Sequence, residues 1–252
     1  MNPSGAVRNG STPTVLLVHG AFADGSMWSG VIAELQAAGI GVTAPANPLR
    51  SLSSDAGYIA SVAGEIDGPV ILAGHSYGGA VITAAGSMAG NIVGLVYVTA
   101  FALDEGESTL DICGRFPGGQ LVPALRPAAF PDVNGPGVEL YIDREAFPRI
   151  FATDLPHRAA AAAAAAQRPI TATAFAAKSL SAAWKTTPSW YVIATADQLI
   201  PPEAQHFMAQ RAGAHTTEIR ASHAVALTQP VAVAEQIAVA AASARAPGGA
   251  VS

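Results

Sequence analysis

One serine stands where a nucleophile would be built. The stretch Val70-Ile71-Leu72-Ala73-Gly74-His75-Ser76-Tyr77-Gly78-Gly79 passes from an apolar strand pattern straight into a small-residue helix pattern. Glycines two positions away on either side allow a turn too tight for side chains there, and such a turn presents the serine hydroxyl at a strand end. The free N–H groups of the helix start beside it suit a developing oxyanion. A serine hydroxyl is a weak nucleophile at neutral pH. The chemistry therefore needs an imidazole to take its proton and a carboxylate to orient that imidazole.

The chain has six histidines. His19 and His75 lie inside their own turn motifs and are read as shaping them. His157 falls in an irregular stretch, His206 in a helix pattern, and His215 just before a strand pattern. His223, in Ala221-Ser222-His223-Ala224, sits between the last strand and the last helix and is the candidate base. For the acid, Asp197 in Thr195-Ala196-Asp197-Gln198-Leu199-Ile200-Pro201 follows a strand pattern. Asp104 also follows a strand at the same edge and is the second choice. Ser76, Asp197 and His223 occur in the chain order that such an elbow uses. An oxyanion hole needs two backbone donors. One is expected from Tyr77. The other is expected from the loop His19-Gly20-Ala21-Phe22, with Ala21 first and Phe22 if the turn is shifted by one.

The elements that must position these residues alternate. Thr14–Val18 reads as a buried strand, Met27–Ala38 as a helix closed by Gly39, and Gly41–Ala44 as a short strand. A helix capped by Ser53 or Ser54 follows through Ile66. Val70–Ala73 is the elbow strand, Ser76–Met88 the elbow helix and Ile92–Thr99 a further strand. From Ala102 to Thr187 prolines break the rhythm. Two short strands (Val138–Ile142 and Arg149–Thr153) are expected there among helical pieces, and the stretch reads as an insertion over the strand ends. The rhythm returns with strand Trp190–Ala194, helix Pro202–Arg211, strand Thr217–Ile219 and helix Pro230–Ala242. This alternation predicts an α/β fold with a parallel sheet covered by helices on both faces, and ligands bound at the carboxyl strand ends. Residues 1–101 and 188–246 would form one discontinuous core and 102–187 a cap or lid. Residues 1–12 and 247–252 read as flexible tails.

Half of the 252 residues are hydrophobic and 12% are charged, enough for a large core. The net charge is −5 and no basic patch is visible, which argues against nucleic acid and anionic membrane partners. Cys113, the single cysteine, allows no internal disulfide and reads as a small loop residue. No apolar run has the length of a signal core or a membrane span, so a cytoplasmic location is expected. No metal-ligand cluster or cofactor motif is present, and none is expected. Phe22, Tyr77, Phe101, Phe116, Phe130, Phe147 and Trp184 are candidates for an apolar substrate pocket. Arg115, Arg126 and Arg144 are the cations that could meet a substrate carboxylate.

With these motifs in place the chain resembles α/β-hydrolase-fold enzymes. It is most similar to the small cofactor-free serine esterases whose branch includes methylesterases and hydroxynitrile lyases. The resemblance rests on Leu16-Leu17-Val18-His19-Gly20-Ala21, Gly74-His75-Ser76-Tyr77-Gly78-Gly79, Ala196-Asp197-Gln198-Leu199-Ile200-Pro201 and Ser222-His223. It implies nucleophile Ser76, base His223, acid Asp197 and oxyanion donors from Ala21 and Tyr77. About thirteen residues precede the first strand, which implies about six mainly parallel strands without two leading antiparallel ones. Hydroxynitrile lyases of this type carry a lysine directly after the catalytic histidine. Ala224 stands there, which disfavours cyanohydrin cleavage. The expected activity is carboxylic-ester hydrolysis of small to medium, largely apolar substrates. Lactone, thioester or amide cleavage on the same three residues is the first alternative, and a slow or non-catalytic small-ligand receptor the second.

Overall fold

The structure, a computed structural model, describes residues 12–133 and 135–244. The expected tails lie outside them, Thr12 aside. The chain opens with β1 (Thr14–Val18), a 3-10 turn over Gly25–Trp28, α1 (Ser29–Ala37) and β2 (Val42–Thr43). It continues through α2 (Leu52–Gly64), β3 (Val70–Ser76), α3 (Tyr77–Ala85) and β4 (Ile92–Ala100). Next come α4 (Thr109–Arg115), α5 (Leu121–Ala124), β5 (Leu125–Asp132), β6 (Gly135–Ile142), α6 (Phe147–Ile150), α7 (His157–Ala166), β7 (Ile170–Thr171) and α8 (Ala172–Ala176). β8 (Ser189–Ala194), α9 (Pro202–Arg211), β9 (His215–Ile219), α10 (Val225–Thr228) and α11 (Pro230–Ser243) close it.

Six strands form one sheet in the order β2-β1-β3-β4-β8-β9, and every pairing in it is parallel. Successive strand side chains point to opposite faces, so apolar residues at both parities bury two cores. Val15, Leu17, Ile71, Val96, Val98 and Val192 face α1 and α11, packing with Trp28, Val31, Leu35, Val233 and Ile237. Leu16, Val18, Leu72, Leu95, Tyr97 and Ile193 face the other way, toward α2 and α3. All the candidate chemistry sits at the carboxyl ends of β1, β3, β8 and β9, where a parallel sheet leaves its loops.

Between β4 and β8 the chain leaves this sheet. It builds a second, antiparallel sheet in the order β5-β6-β7. The sequence pattern gave β6 only in part and missed β5, whose Pro127 and Pro131 read as breakers. Both prolines lie on β5, the edge strand of this sheet, which is where strands tolerate proline. Arg149–Thr153 is not a strand. Its first residues end α6 and the rest form a turn, with Pro148 in the first turn of the helix. Helix α2 begins at Leu52, so Ser53 and Ser54 lie inside its first turn and do not cap it. No side chain caps its first N–H groups; the buried Asp55 carboxylate instead ties down the chain entering the helix, accepting from the N–H groups of Arg50 (3.2 Å) and Ser51 (3.5 Å). Cys113 lies on α4, not in a loop, and burial pushes its thiol up to about 12, which leaves it unreactive.

Two glycines in the sequence segregate by the space around them. A Cβ on Gly78 would lie 2.3 Å from the Val18 carbonyl oxygen, whereas one on Gly57, inside α2, meets nothing within 4 Å. Gly78→Ala should therefore destabilise the protein by about 1–3 kcal/mol or prevent folding, because backbone must move. Gly57→Ala should stabilise it by about 0.5–1 kcal/mol through helix propensity. Urea denaturation of the two variants reads both signs.

Candidate active site

Strand β3 delivers Ser76 at its last residue, with φ 53° and ψ −122°. A non-glycine residue in left-handed space is strained and persists only where its surroundings enforce it. The enforcement is packing. A Cβ on Gly74 would lie 2.5 Å from the Gly78 carbonyl oxygen, so only paired glycines let α3 start this close to β3. Ser76 is 5% exposed, and Tyr77 opens α3 directly after it. The hydroxyl of Tyr77 points away from the turn and donates to Asp55 Oδ2 at 3.0 Å. Burial, then the neighbouring carboxylate, raise the Tyr77 phenol well above its ordinary value, so it stays a neutral donor. Burial likewise raises Asp55.

Asp197 follows β8 in a turn and is saturated with donors. Its Oδ1 accepts from the N–H groups of Leu199 (2.7 Å) and Ile200 (3.1 Å). Its Oδ2 accepts from the Thr99 hydroxyl, from Gln205 Nε2 on α9 (3.2 Å) and from His223 Nδ1 (2.7 Å). Thr99 reaches it through a bulge. His75 pairs with Val98 and Ser76 with Ala100, so Thr99 is the extra residue of β4 and takes φ 41°. With Nδ1 donating to the carboxylate, the neutral form of His223 carries its lone pair on Nε2. That atom is buried and has no hydrogen-bond partner among the described residues.

The loop carrying His223 is pinned from three sides. His75 Nε2 donates to the His223 carbonyl at 2.9 Å, and the two rings lie 4.6 Å apart. Burial, then the nearby His223, push the His75 pKa well down, so His75 is a neutral structural donor. Phe151, just past α6, sets its ring edge-on to His223 at 4.9 Å and is itself stacked on Phe147 at 4.5 Å. Asp154 accepts from the Ser222 N–H (2.9 Å), the Ser222 hydroxyl and the Thr228 hydroxyl (3.1 Å).

The loop after β1 is held by His19. Its Nδ1 donates to the Gly20 carbonyl at 2.8 Å, and its Nε2 accepts from the Asn47 N–H at 2.9 Å. Burial lowers the His19 pKa, in keeping with this neutral arrangement. A Cβ on Gly20 would lie 2.7 Å from Ser76 Cβ, so this loop touches the serine. Phe22 has φ 63°, and its N–H donates to the Arg168 carbonyl at 2.8 Å. That N–H is committed elsewhere, so the shifted alternative, Phe22, is not a free donor.

Ser76, Tyr77, Ala21, Asp197 and His223 are thus brought to one sheet edge, and Asp197 is bonded to His223. Asp104 is not part of the cluster. Its carboxylate pairs with Lys185 at 2.6 Å. Among the pocket candidates, Phe22 flanks the serine loop, and the Phe101 N–H donates to the Ser76 carbonyl at 3.1 Å. Phe147 stands one ring behind Phe151. Phe116 packs on Phe207 at 5.3 Å, and Trp184 donates to the Leu103 carbonyl at 2.8 Å. Phe130 lies under Arg50 on the second sheet. Arg126 pairs with Asp143, and Arg115 lies 4.0 Å over Phe207. The sequence reading missed Thr99, Gln205, Phe151 and Asp154. Of these only Phe151 left a signal, an aromatic beside Phe147, which the strand reading of Arg149–Thr153 hid.

Residues 15–236 match the model of the Alpha/beta hydrolase family. Among solved structures the chain is similar to a pyrethroid hydrolase from Sphingobium faniae JZ-2. Identity is 23%, coverage 92% of this chain and 98% of that one, and TM-score 0.77. It is also similar to polyneuridine aldehyde esterase (20%; 91% and 99% covered; TM-score 0.77). A methylesterase from Arabidopsis is a third (17%; 92% and 99% covered; TM-score 0.75). At these identities the likeness is one of fold. No curated protein sequence matches the chain.

Tyr77→Phe tests the buried Tyr77–Asp55 bond. Removing the hydroxyl leaves Asp55 Oδ2 unmet in the core, so stability should drop by about 1–3 kcal/mol. The expected reading is a lower urea midpoint with an unchanged slope.

Proposed function

The chain belongs to the alpha/beta hydrolase family, and from that premise we propose that it is a serine hydrolase cleaving carboxylic esters of small to medium, largely apolar substrates. The observation that carries this reading is the 2.7 Å bond between buried Asp197 and His223 at the strand edge where Ser76 holds its left-handed turn. Esterase neighbours of the same fold support the choice of ester over other acyl compounds.

In the proposed reaction the Ser76 Oγ attacks the acyl carbonyl carbon, and His223 Nε2 takes the hydroxyl proton. The carbonyl oxygen gains negative charge against the N–H groups of Tyr77 and Ala21. Asp197 fixes the imidazole tautomer and stabilises its cationic form. The C–O bond to the alcohol then breaks, and Nε2 hands its proton to the leaving oxygen. A water gives a proton to Nε2 and its oxygen to the acyl carbon, and Ser76 recovers its proton as the acid departs. The segment 102–187 would act as the cap that excludes bulk water and selects substrate.

The test is hydrolysis of p-nitrophenyl esters by wild type, Ser76→Ala, His223→Ala and Asp197→Asn. Each variant should lose roughly 10³-fold or more in kcat, and the losses should not add, because the three groups act as a unit. Ester turnover that survives Ser76→Ala would sink the reading.

A further inference from the structure

An apolar cavity of about 280 Å³ lies between the loop after β1, the α6–α7 region and the turn after His223. It shares walls with the reaction centre. Phe22 comes from the loop that touches Ser76, and Phe151 lies edge-on to the His223 ring. Leu227, four residues past His223, continues that side. The far wall is α7. Ala159, Ala163 and Ala166 face the cavity, while Ala160 and Ala164 are buried against the core. The methyl groups on the cavity face are what leave the space open.

The wall chemistry narrows the occupant. Among the lining residues only Asp24 and Ser26 are polar, and Asp24 Oδ1 accepts from the Ser26 N–H at 2.8 Å. No cation lines the cavity, and the Asp24 carboxylate repels anions. The space therefore disfavours an anion, and its ten apolar lining residues suit an apolar group. A dry cavity of about 150 Å³ takes a benzene ring, so this one suits a group roughly twice that size. By contrast, the space between Phe101 and Leu199-Ile200 is about 30 Å³.

Position assigns the group to one half of an ester. In the proposed mechanism His223 Nε2 protonates the leaving oxygen, so the alcohol must lie against the imidazole. Phe151 is the wall on that side. We propose that this cavity receives the alcohol portion of the substrate, that the substrates are esters of bulky, uncharged, apolar alcohols, and that the alanine face of α7 sets their size limit. Phe22 and Phe151 are the lining side chains that tie the cavity to the reaction centre, one in the loop that touches Ser76 and the other packed on the His223 ring. This inference rests on the ester-hydrolase reading.

The experiment compares methyl butyrate, 2-naphthylmethyl butyrate and methyl 2-naphthylacetate in wild type, Ala163→Phe and Ala162→Phe. Ala162 is exposed on the same helix and lies outside the cavity lining. Ala163→Phe should cut kcat/KM for 2-naphthylmethyl butyrate roughly tenfold or more, mostly through KM, and move the other two esters by less than about threefold. Ala162→Phe should move none. Equal losses on all three esters, no loss on any, or a loss confined to methyl 2-naphthylacetate would overturn the proposal. Binding of 2-naphthalenemethanol to Ser76→Ala, followed by its fluorescence, separates the two readings. If wild type turns over no ester, but the alcohol binds and an added Ala163→Phe abolishes binding, the cavity stands and ester hydrolysis falls. Without turnover and without binding, both fall.

Discussion

A carboxylate with almost no exposed surface organises this molecule. Asp197 can sit in the interior only if its oxygens are met by donors, because an unmet buried carboxylate costs several kcal/mol. Five donors meet it, from its own turn, β4, α9 and the His223 loop. Each donor fixes one element. The Thr99 bulge sets how β4 ends, Gln205 ties α9 to the end of β8, and His223 must turn its Nδ1 inward. The base is therefore oriented by the same bonds that make the acid tolerable in the core.

Ser76 is held by a different force, steric fit. The elbow brings the first turn of α3 against the carbonyl ends of β1 and β3 so closely that Gly74 and Gly78 leave no room for a methyl group. Strain at Ser76 is carried by that packing and by the buried strands beside it. Close-packed interiors have discrete arrangements, so the serine is presented at one place. The two constraints share a strand. β4 pairs with β3 under Ser76 and with β8 under Asp197, which sets the distance between them.

The segment between β4 and β8 reaches back to both loops of the site. The Arg168 carbonyl takes the Phe22 N–H, Asp154 takes the Ser222 N–H and hydroxyl, and Phe151 lies against the His223 ring. A movement of this segment would therefore be felt at the donor loop and at the base loop together. The same region supplies the alanine face of the apolar cavity, so positioning and selection of substrate are tied to one stretch of chain.

Much of this was legible in the residues. The period of the apolar runs determined the α/β alternation, because strands buried on both faces must be apolar throughout and the helices between them must be amphipathic. Gly74, Ser76 and Gly78 determined the turn, because no other spacing lets a helix start so close to a strand. The strand-end positions of Asp197 and His223 followed from that alternation. Tertiary structure alone decided the rest. Whether Asp104 or Asp197 meets the histidine depends on which strand end lies beside the His223 loop, and the parallel neighbours β8 and β9 put Asp197 there. Thr99, Gln205, Asp154 and Phe151 lie from 18 to 124 residues away from the His223 they help to place. Their parts are made by contacts across the fold, and local pattern carries no record of a contact that only folding brings about.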